Sequence, residues 1–557
     1  MSRSLPRPSK RLPTPAPRRA GTGLRTAGGP ALVAAIAVAV LVIPAWWRID
    51  PHPFPDAVEY AAAARSLARS GTYAIRLLGH SYPPRYPFGL SALLSPIYLF
   101  PGTHLSDGVY GAVAFGVIGT VCVYLLARRM AGLAGGIGAV ASLLTVPAYL
   151  EWNHEITTET ATAAIVSAVA LGLFLTRTAE RRSRQRWGMF AIGALSGLGM
   201  LIRLPSAIVP LAAALALWSD ERLRRDAAGW LLLGVGPALA TLALGIYDLR
   251  TFGAVTATGY RFWVPYWYGR DGMTFSFSYA IHLPGAADLP PATSSNAVFY
   301  LWTAPRSAFC LGFLLLTAVG VAIAWRSKDA RVRLVCRFGV VLAVLTVGLY
   351  LVYYFQSLRF IAPLVPLGAL AIGVSAGTGF DAVVSGSRPG ERRRVAAGLA
   401  IGVVLAASLA VSIGPASKRC FAYRRYLRHD HSLEEYPYIS ATAGAFRDVA
   451  APGSIIITDA LPTLLEDAGV PAGVLVVPFL RKGYWAAPAF RAAGTFLERT
   501  DEIRRAVDAG HPAYTDSYSM GKFVQRPDSN ADFVRALARF RREPVGRRGP
   551  VTIYRLR

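Results

Sequence analysis

The sequence has no Gly-x-x-x-x-Gly-Lys-Ser/Thr loop, no dinucleotide fingerprint and no His-Glu-x-x-His pair, so the chemistry of a nucleotide-driven pump or a zinc hydrolase is missing. Cysteine is scarce. Cys122, Cys310, Cys336 and Cys420 show no CxxC or metal-ligand spacing, so no disulfide framework is implied. Cys310 and Cys420 fall on segments that the topology below puts on one side, and a pair between them stays open. Acids are also few, 32 against 59 Lys and Arg, which leaves a formal charge of +27. Such a charge would suit nucleic acid through counterion release. The basic residues, however, sit in short clusters between apolar runs, with no basic stripe interleaved with aromatics, so the charge is topological and no nucleic-acid partner is expected. No internal repeat is found.

What the sequence has in abundance is long apolar runs. With 53% hydrophobic residues and a mean hydropathy of +0.38 over 557 residues, the chain is too apolar and too long for one soluble core. Runs at 31–47, 132–150, 230–246, 307–325 and 338–354 approach the ~20 residues that cross a ~30 Å hydrocarbon layer. Seven Lys or Arg residues and no acid precede position 30, and the first run ends in Pro44, Trp46 and Trp47 without a small-x-small cleavage site. That pattern predicts a retained first helix with an interfacial tryptophan anchor, behind a disordered, basic cytoplasmic tail at 1–29.

Alternating the sides from that tail gives an α-helical polytopic membrane protein of about eleven spans over residues 30–415. The clusters at Arg128–Arg129, 177–186, 222–225, 326–333 and 388–394 then all fall in the cytoplasm. The outer segments are 48–106, the end of the third span, a tight turn at Arg203-Leu204-Pro205, the aromatic loop 248–305 and the turn 356–359. Residues 416–557 follow the last span as a small extracytoplasmic α/β domain, read from the β-rich run 453–459, a helix near 461–468 and further strands. The expected home is a bacterial plasma membrane.

The outer loop 48–106 holds the densest chemistry. Asp56 opens an Ala-rich stretch, 61–69, whose apolar and polar residues recur at helical spacing, as in an amphipathic helix lying on the membrane surface. Asp56 can serve as the N-cap with Glu59 as a capping partner, or as a general base toward an acceptor hydroxyl beside a lipid-linked substrate. The loop continues through Gly71-Thr-Tyr73 and Tyr82-Pro-Pro-Arg85-Tyr86-Pro.

An acid four residues before a tyrosine, a short helix, a Gly turn and a Pro-Pro-x-Tyr-Pro element after the first span resemble the GT-C class of membrane glycosyltransferases, which includes aminoarabinose lipid A transferases, protein O-mannosyltransferases and core-oligosaccharide transferases. The resemblance covers the whole chain: many helices, a large first outer loop and a soluble C-terminal domain. It implies that Asp56 is catalytic, with Tyr60 beside it. Many relatives have Asp-Glu together, whereas here Ala57 follows and the glutamate is displaced to Glu59, the second catalytic candidate. Arg85 stands just after the prolines. The second acid that typically opens the fourth helix is Glu155 or Glu159, next to His154.

Asp56, His154, Glu155 and Glu159 are candidate ligands of a divalent cation, because hard oxygen ligands suit Mg²⁺ or Mn²⁺; some relatives need no metal. A polyprenyl-phosphate donor needs cations at the membrane face, and Arg203 and Arg359 stand at outer helix ends within apolar sequence. Arg359 also resembles the family's Arg-x-x-x-Pro element, completed by Pro363. The implied function is an inverting transfer of a sugar, hexosyl or pentosyl, from a polyprenyl-phosphate donor to an acceptor hydroxyl on an envelope glycan, lipid or protein. The alternative is a carrier or flippase of lipid-linked glycans, whose polar loops only bind.

Overall fold

The computed structural model describes residues 29–34, 36–38, 55–77, 80–263, 295–353, 356–384, 392–427, 436–480, 494–524 and 531–557. The expectations for residues 1–28, most of the first span and the aromatic stretch 264–268 lie outside them, as does the side chain of Cys420.

Among the described residues the helices of ten or more residues are α1 (Pro55–Ser70), α2 (Val109–Leu144), α3 (Thr158–Thr178), α4 (Arg182–Ile202), α5 (Ile208–Trp218), α6 (Ala227–Phe252), α7 (Leu311–Trp325), α8 (Ala330–Leu351), α9 (Val365–Val384), α10 (Arg392–Leu427) and α11 (Tyr436–Val449). Apolar runs become helices because hydrocarbon offers no water, so every backbone N–H and C=O of a span must be satisfied within it. Among the described residues six helices are long and apolar enough to cross a membrane, or seven when the bent pair Asn296–Ala308 and Leu311–Trp325 is one span.

That number is lower than the expected eleven for physical reasons. Within α2, Ala131 (φ −143°) and Gly132 (φ 72°) leave the helical conformation and divide it into two helices. Tyr149, just beyond α2, donates to the Gly116 carbonyl at 3.0 Å, 33 positions back. The chain therefore reverses at Gly132, where a side chain would oppose the left-handed backbone, and the two arms of α2 answer to two expected spans with Arg128 and Arg129 at the turn. Helices α4 and α5 form the expected hairpin around an extended Arg203 (φ −155°), but α5 has only 11 residues and α4 opens on Arg182, Arg184 and Arg186. Of the first span, only Gly29–Val38 is described.

Small residues let these helices approach closely. A Cβ on Gly377 of α9 would come within 2.1 Å of the Ala131 carbonyl oxygen, and one on Gly193 of α4 within 2.2 Å of that of Leu233 in α6.

The helix expected to lie on the membrane surface is instead α1, and it is buried. Ala57 through Ala64 are all buried, and the last turns, from Arg65 to Ser70, are part-exposed. Its alanines are small enough for protein to pack on every side, which the helical spacing of 61–69 did not reveal. On one flank lies the hairpin β1 (Ile75–Leu77) and β2 (His80–Tyr82). On another lies the C-terminal region.

That region is a five-stranded sheet of order β4-β3-β5-β7-β6. Strands β3 (Ile455–Ile457), β4 (Leu475–Val477) and β5 (Ala513–Asp516) are parallel, whereas β6 (Arg542–Arg548) and β7 (Val551–Leu556) add an antiparallel edge. Side chains alternate between the faces. Ile455, Ile457 and Val477 join a phenylalanine core of Phe479, Phe496, Phe533 and Phe540. Ile456, Val476 and Ile553 join the cluster that contains Ala57, Ala61 and Ile75. The far end of the sequence thus shares a core with the first outer loop.

Candidate functional site

Asp56 is the second residue of α1, behind Pro55, which suits the first helical turn because its missing N–H has no partner to lose there. One carboxylate oxygen, Oδ2, accepts from Arg359 Nη2 at 2.9 Å. The other accepts from the Tyr86 hydroxyl. Arg359 lies on a short 3-10 turn, Leu358–Leu364, that leads into α9. Its approach is fixed by Asn296, which donates to the carbonyls of Leu351 and Tyr353 at 3.0 and 2.9 Å, and by the Tyr300 hydroxyl, which accepts from Ser357 N at 3.2 Å.

A second carboxylate completes the array. Glu159, in the first turn of α3, accepts from Arg203 Nη1 at 2.7 Å and lies 3.5 Å from Arg359 Nε. The guanidinium of Arg203 stacks over Phe360 at 4.9 Å and faces Tyr350 at 6.0 Å, while those two rings stack on each other at 4.5 Å. The order in space is Asp56, Arg359, Glu159, Arg203, two acids and two cations in alternation. Asp56 and Arg359 keep 22% and 28% of their side chains exposed, against 3% for Glu159. The exposed end of the array is therefore the Asp56–Arg359 pair.

The remaining expected residues fall around this row. Glu59 is buried and accepts the backbone N–H of Arg85, with Arg85 Nε 3.8 Å from its carboxylate. It fastens the Pro83–Arg85 strap to α1 and does not share the Asp56 pair. Tyr60 packs against Tyr86 with the rings tilted, centroids 4.6 Å apart. Arg85 stands 5.6 Å from the Tyr86 ring. The strap is pinned from outside by Trp263, whose indole N–H donates to the Pro83 carbonyl at 2.7 Å, and by Gly259, where a Cβ would meet the Arg85 Cα at 2.7 Å. His154 and Glu155 are buried in the turn before α3. Of the two acids expected there, Glu159 is the one that meets the arginines.

Tyr86 and Tyr260 were not expected in the site. Tyr86 was readable only as part of the Pro-Pro-x-Tyr-Pro element, and Tyr260, edge-on to Tyr86 at 5.3 Å, only as part of an aromatic belt.

Burial pushes the Asp56 carboxyl up, but the charges of Arg359 and Arg85 and the bonds from Tyr86 and Arg359 outweigh it and hold it below the ordinary carboxylate value. Burial lifts the Tyr86 phenol well above its usual value, so it is a neutral donor to that carboxylate. Asp56 and Glu159 are each engaged by a guanidinium, and among the described residues no group of three or more His, Cys, Asp or Glu side chains is placed to hold a metal ion.

An apolar cavity of about 240 Å³ lies between α7, α8 and α9. It is bounded near Arg359 by Tyr300 and Ile361 and deeper by Leu314, Val340, Gly368 and Ala371.

A family model described as dolichyl-phosphate-mannose-protein mannosyltransferase matches residues 87–246. No curated protein matches the chain by sequence. Among solved structures, ArnT from Cupriavidus metallidurans bound to undecaprenyl phosphate is similar at a TM-score of 0.63 and 15% identity, over 95% of this chain and 98% of that one. Its apo state is similar at 0.59 and 16%. The Archaeoglobus fulgidus oligosaccharyltransferase in complex with Zn and sulfate follows at 0.53 and 13%, over 92% of this chain and 71% of that one. The resemblance read from residues 48–106 thus extends through the apolar helices to the terminal sheet, and the chain is a polytopic membrane protein that shares the fold of these ArnT and oligosaccharyltransferase structures.

Proposed function

We propose that the chain transfers a sugar from a polyprenyl-phosphate carrier to an acceptor hydroxyl at the outer face of a bacterial plasma membrane, with inversion at the anomeric carbon. The observation that carries this reading is the Asp56–Arg359 pair, a carboxylate and a guanidinium in contact at 2.9 Å at the more accessible end of the array. A guanidinium suits a phosphate, and an apolar cavity whose lining includes Ile361, two residues beyond Arg359, suits a hydrocarbon tail. The ArnT structure with undecaprenyl phosphate supports the same donor class, because the fold is shared over nearly the whole of both chains.

In the proposed cycle the donor phosphate displaces the Asp56 carboxylate from Arg359. Asp56 then loses its strongest opposite charge, so its proton affinity rises when the substrate is in place. The acceptor hydroxyl attacks the anomeric carbon, the bond from that carbon to the phosphate oxygen breaks, and its electron pair leaves with the polyprenyl phosphate against Arg359. The hydroxyl proton passes to Asp56. Arg203 neutralises Glu159 and keeps it from competing for Arg359 once the donor has bound. Glu59 and Tyr60 position the strap and Tyr86.

Purified protein in lipid vesicles, given a radiolabelled polyprenyl-phosphate sugar and envelope extract, is expected to move label from carrier to acceptor. Movement of the intact labelled lipid between leaflets without loss of its sugar would instead establish a carrier.

A further inference from the structure

The end of the helix bundle opposite this site holds a second cavity, larger and differently lined. Glu159 and Arg177 stand at the two ends of α3, a separation of about 27 Å at 1.5 Å rise per residue, close to the thickness of a hydrocarbon layer. Around Arg177 the cavity has a volume of about 680 Å³ and is lined by Arg177, Arg182, Arg222, Arg225, Arg333 and Arg337, against the two acids Asp220 and Glu221. The six arginines come from four separate segments: the end of α3, the start of α4, the turn after α5 and the start of α8.

The acids do not cancel this charge. Asp220 is already engaged, accepting from Arg177 Nε at 2.6 Å and from the backbone N–H groups of Arg222 and Leu223 at 3.1 and 3.3 Å. Neutral groups hold two of the other guanidinium groups in place. Arg222 donates to the Ala179 carbonyl at 2.6 Å, and Arg337 donates to Ser219 O and Oγ at 3.0 and 2.8 Å. Arg182 and Arg225 are exposed and, among the described residues, make no ion pair. Like charges brought together by four segments repel unless an anion sits among them.

The depth of the cavity selects the kind of anion. Trp218 leads straight into its Ser219 rim, packs against Trp230 at 5.8 Å, and is 61% exposed, the placement of an interfacial tryptophan belt. From that rim α5 presents Leu211 and Leu215, each about half exposed, as a hydrocarbon-facing stripe. A soluble phosphate has no use for such a surface; acyl chains do.

We propose that this cavity binds the headgroup of an anionic phospholipid of the inner leaflet, its phosphodiester among Arg182, Arg222, Arg225 and Arg337 and its acyl chains along α5. The test uses the full-length protein in detergent, with phosphatidylglycerol and phosphatidylcholine of matched chains as probes. Native mass spectrometry should show phosphatidylglycerol retained under activation that strips phosphatidylcholine. Phosphatidylglycerol should also raise the unfolding midpoint, whereas phosphatidylcholine should not. In Arg182→Ala/Arg225→Ala, changed at two exposed and unpaired positions, apparent affinity for phosphatidylglycerol should fall about tenfold or more. An Arg184→Ala control at an exposed arginine outside the cavity lining should retain it. Equal retention of both lipids, or equal affinity in the double variant, would overturn the proposal. So would an equal midpoint rise with inorganic phosphate, which would make the ligand a free anion.

Discussion

Replacing Arg359 by alanine removes the group that touches both carboxylates of the site, Asp56 at 2.9 Å and Glu159 at 3.5 Å. A charge-assisted hydrogen bond contributes about 1.5–3 kcal/mol, so loss of the arginine's contact to a donor phosphate should weaken donor binding about ten- to a hundredfold. Lysine should restore only part of this, because one ammonium cannot hold two phosphate oxygens as the planar fork does. The same change acts on Asp56. Arg359 is the largest of the influences that hold its carboxyl below the ordinary value, so removing it lets that value rise. Activity requires the carboxylate, so the acid limb of kcat/KM, which reports the free enzyme, should move to higher pH in Arg359→Ala. In the unaltered protein the limb of kcat should already lie above that of kcat/KM, since bound donor has taken Arg359 away. The assay is a titration of polyprenyl-phosphate sugar at several pH values against the unaltered protein, Arg359→Ala and Arg359→Lys. Unchanged donor affinity in both variants, with superimposable pH profiles, would refute the reasoning.

Asp56→Asn should reduce transfer by at least about a hundredfold while expression and unfolding midpoint stay close to normal, because the amide can still accept from Tyr86 but takes no proton; transfer at the normal rate would remove Asp56 as base. Tyr86→Phe should keep transfer but shift the acid limb of kcat/KM upward, since a bond that favours the carboxylate is gone. Glu59→Gln should lower the unfolding midpoint more than the turnover of the folded fraction, because Glu59 fastens the Arg85 backbone; the two are separated by scoring activity against folded protein. An alkaline phosphatase fused after position 557 should be active and a cytoplasm-only fluorescent reporter dark, because the basic clusters place the last span outward.

Some of this was legible in the sequence and some could not be. The apolar runs announce their helices, since hydropathy follows directly from what hydrocarbon tolerates. The reversal at Gly132 was legible because Arg128 and Arg129 interrupt the apolar pattern there. The pairing of Asp56 with Arg359, 303 positions apart, leaves no trace in spacing: helix position and topology single out each residue, but neither says that the two meet. The choice between Glu155 and Glu159 depends on where α3 begins, because a shift of four residues decides which acid stands in the first helical turn beside Arg203. Burial of α1 was hidden for another reason. Alanine suits a packed interior and a membrane surface equally well, and only the chain that arrives later says which one it meets.

That late arrival sets an order of events. The face of α1 behind Asp56 is closed by the segment Pro462–Asp467, with Arg65 paired to Asp467 and Arg76 lying 3.3 Å from Glu466. Between α1 and that segment lies a cavity of about 260 Å³ bordered by Ala57, Ala61, Leu464 and Asp467. During synthesis the first outer loop is made early, yet the surface that holds its helix is more than four hundred residues behind on the ribosome. A chain cut short after the last span would carry Asp56, Glu159 and Arg359 and still lack the support that keeps α1 in register with them. Assembly of the site thus waits on a segment made long after the helix that it supports.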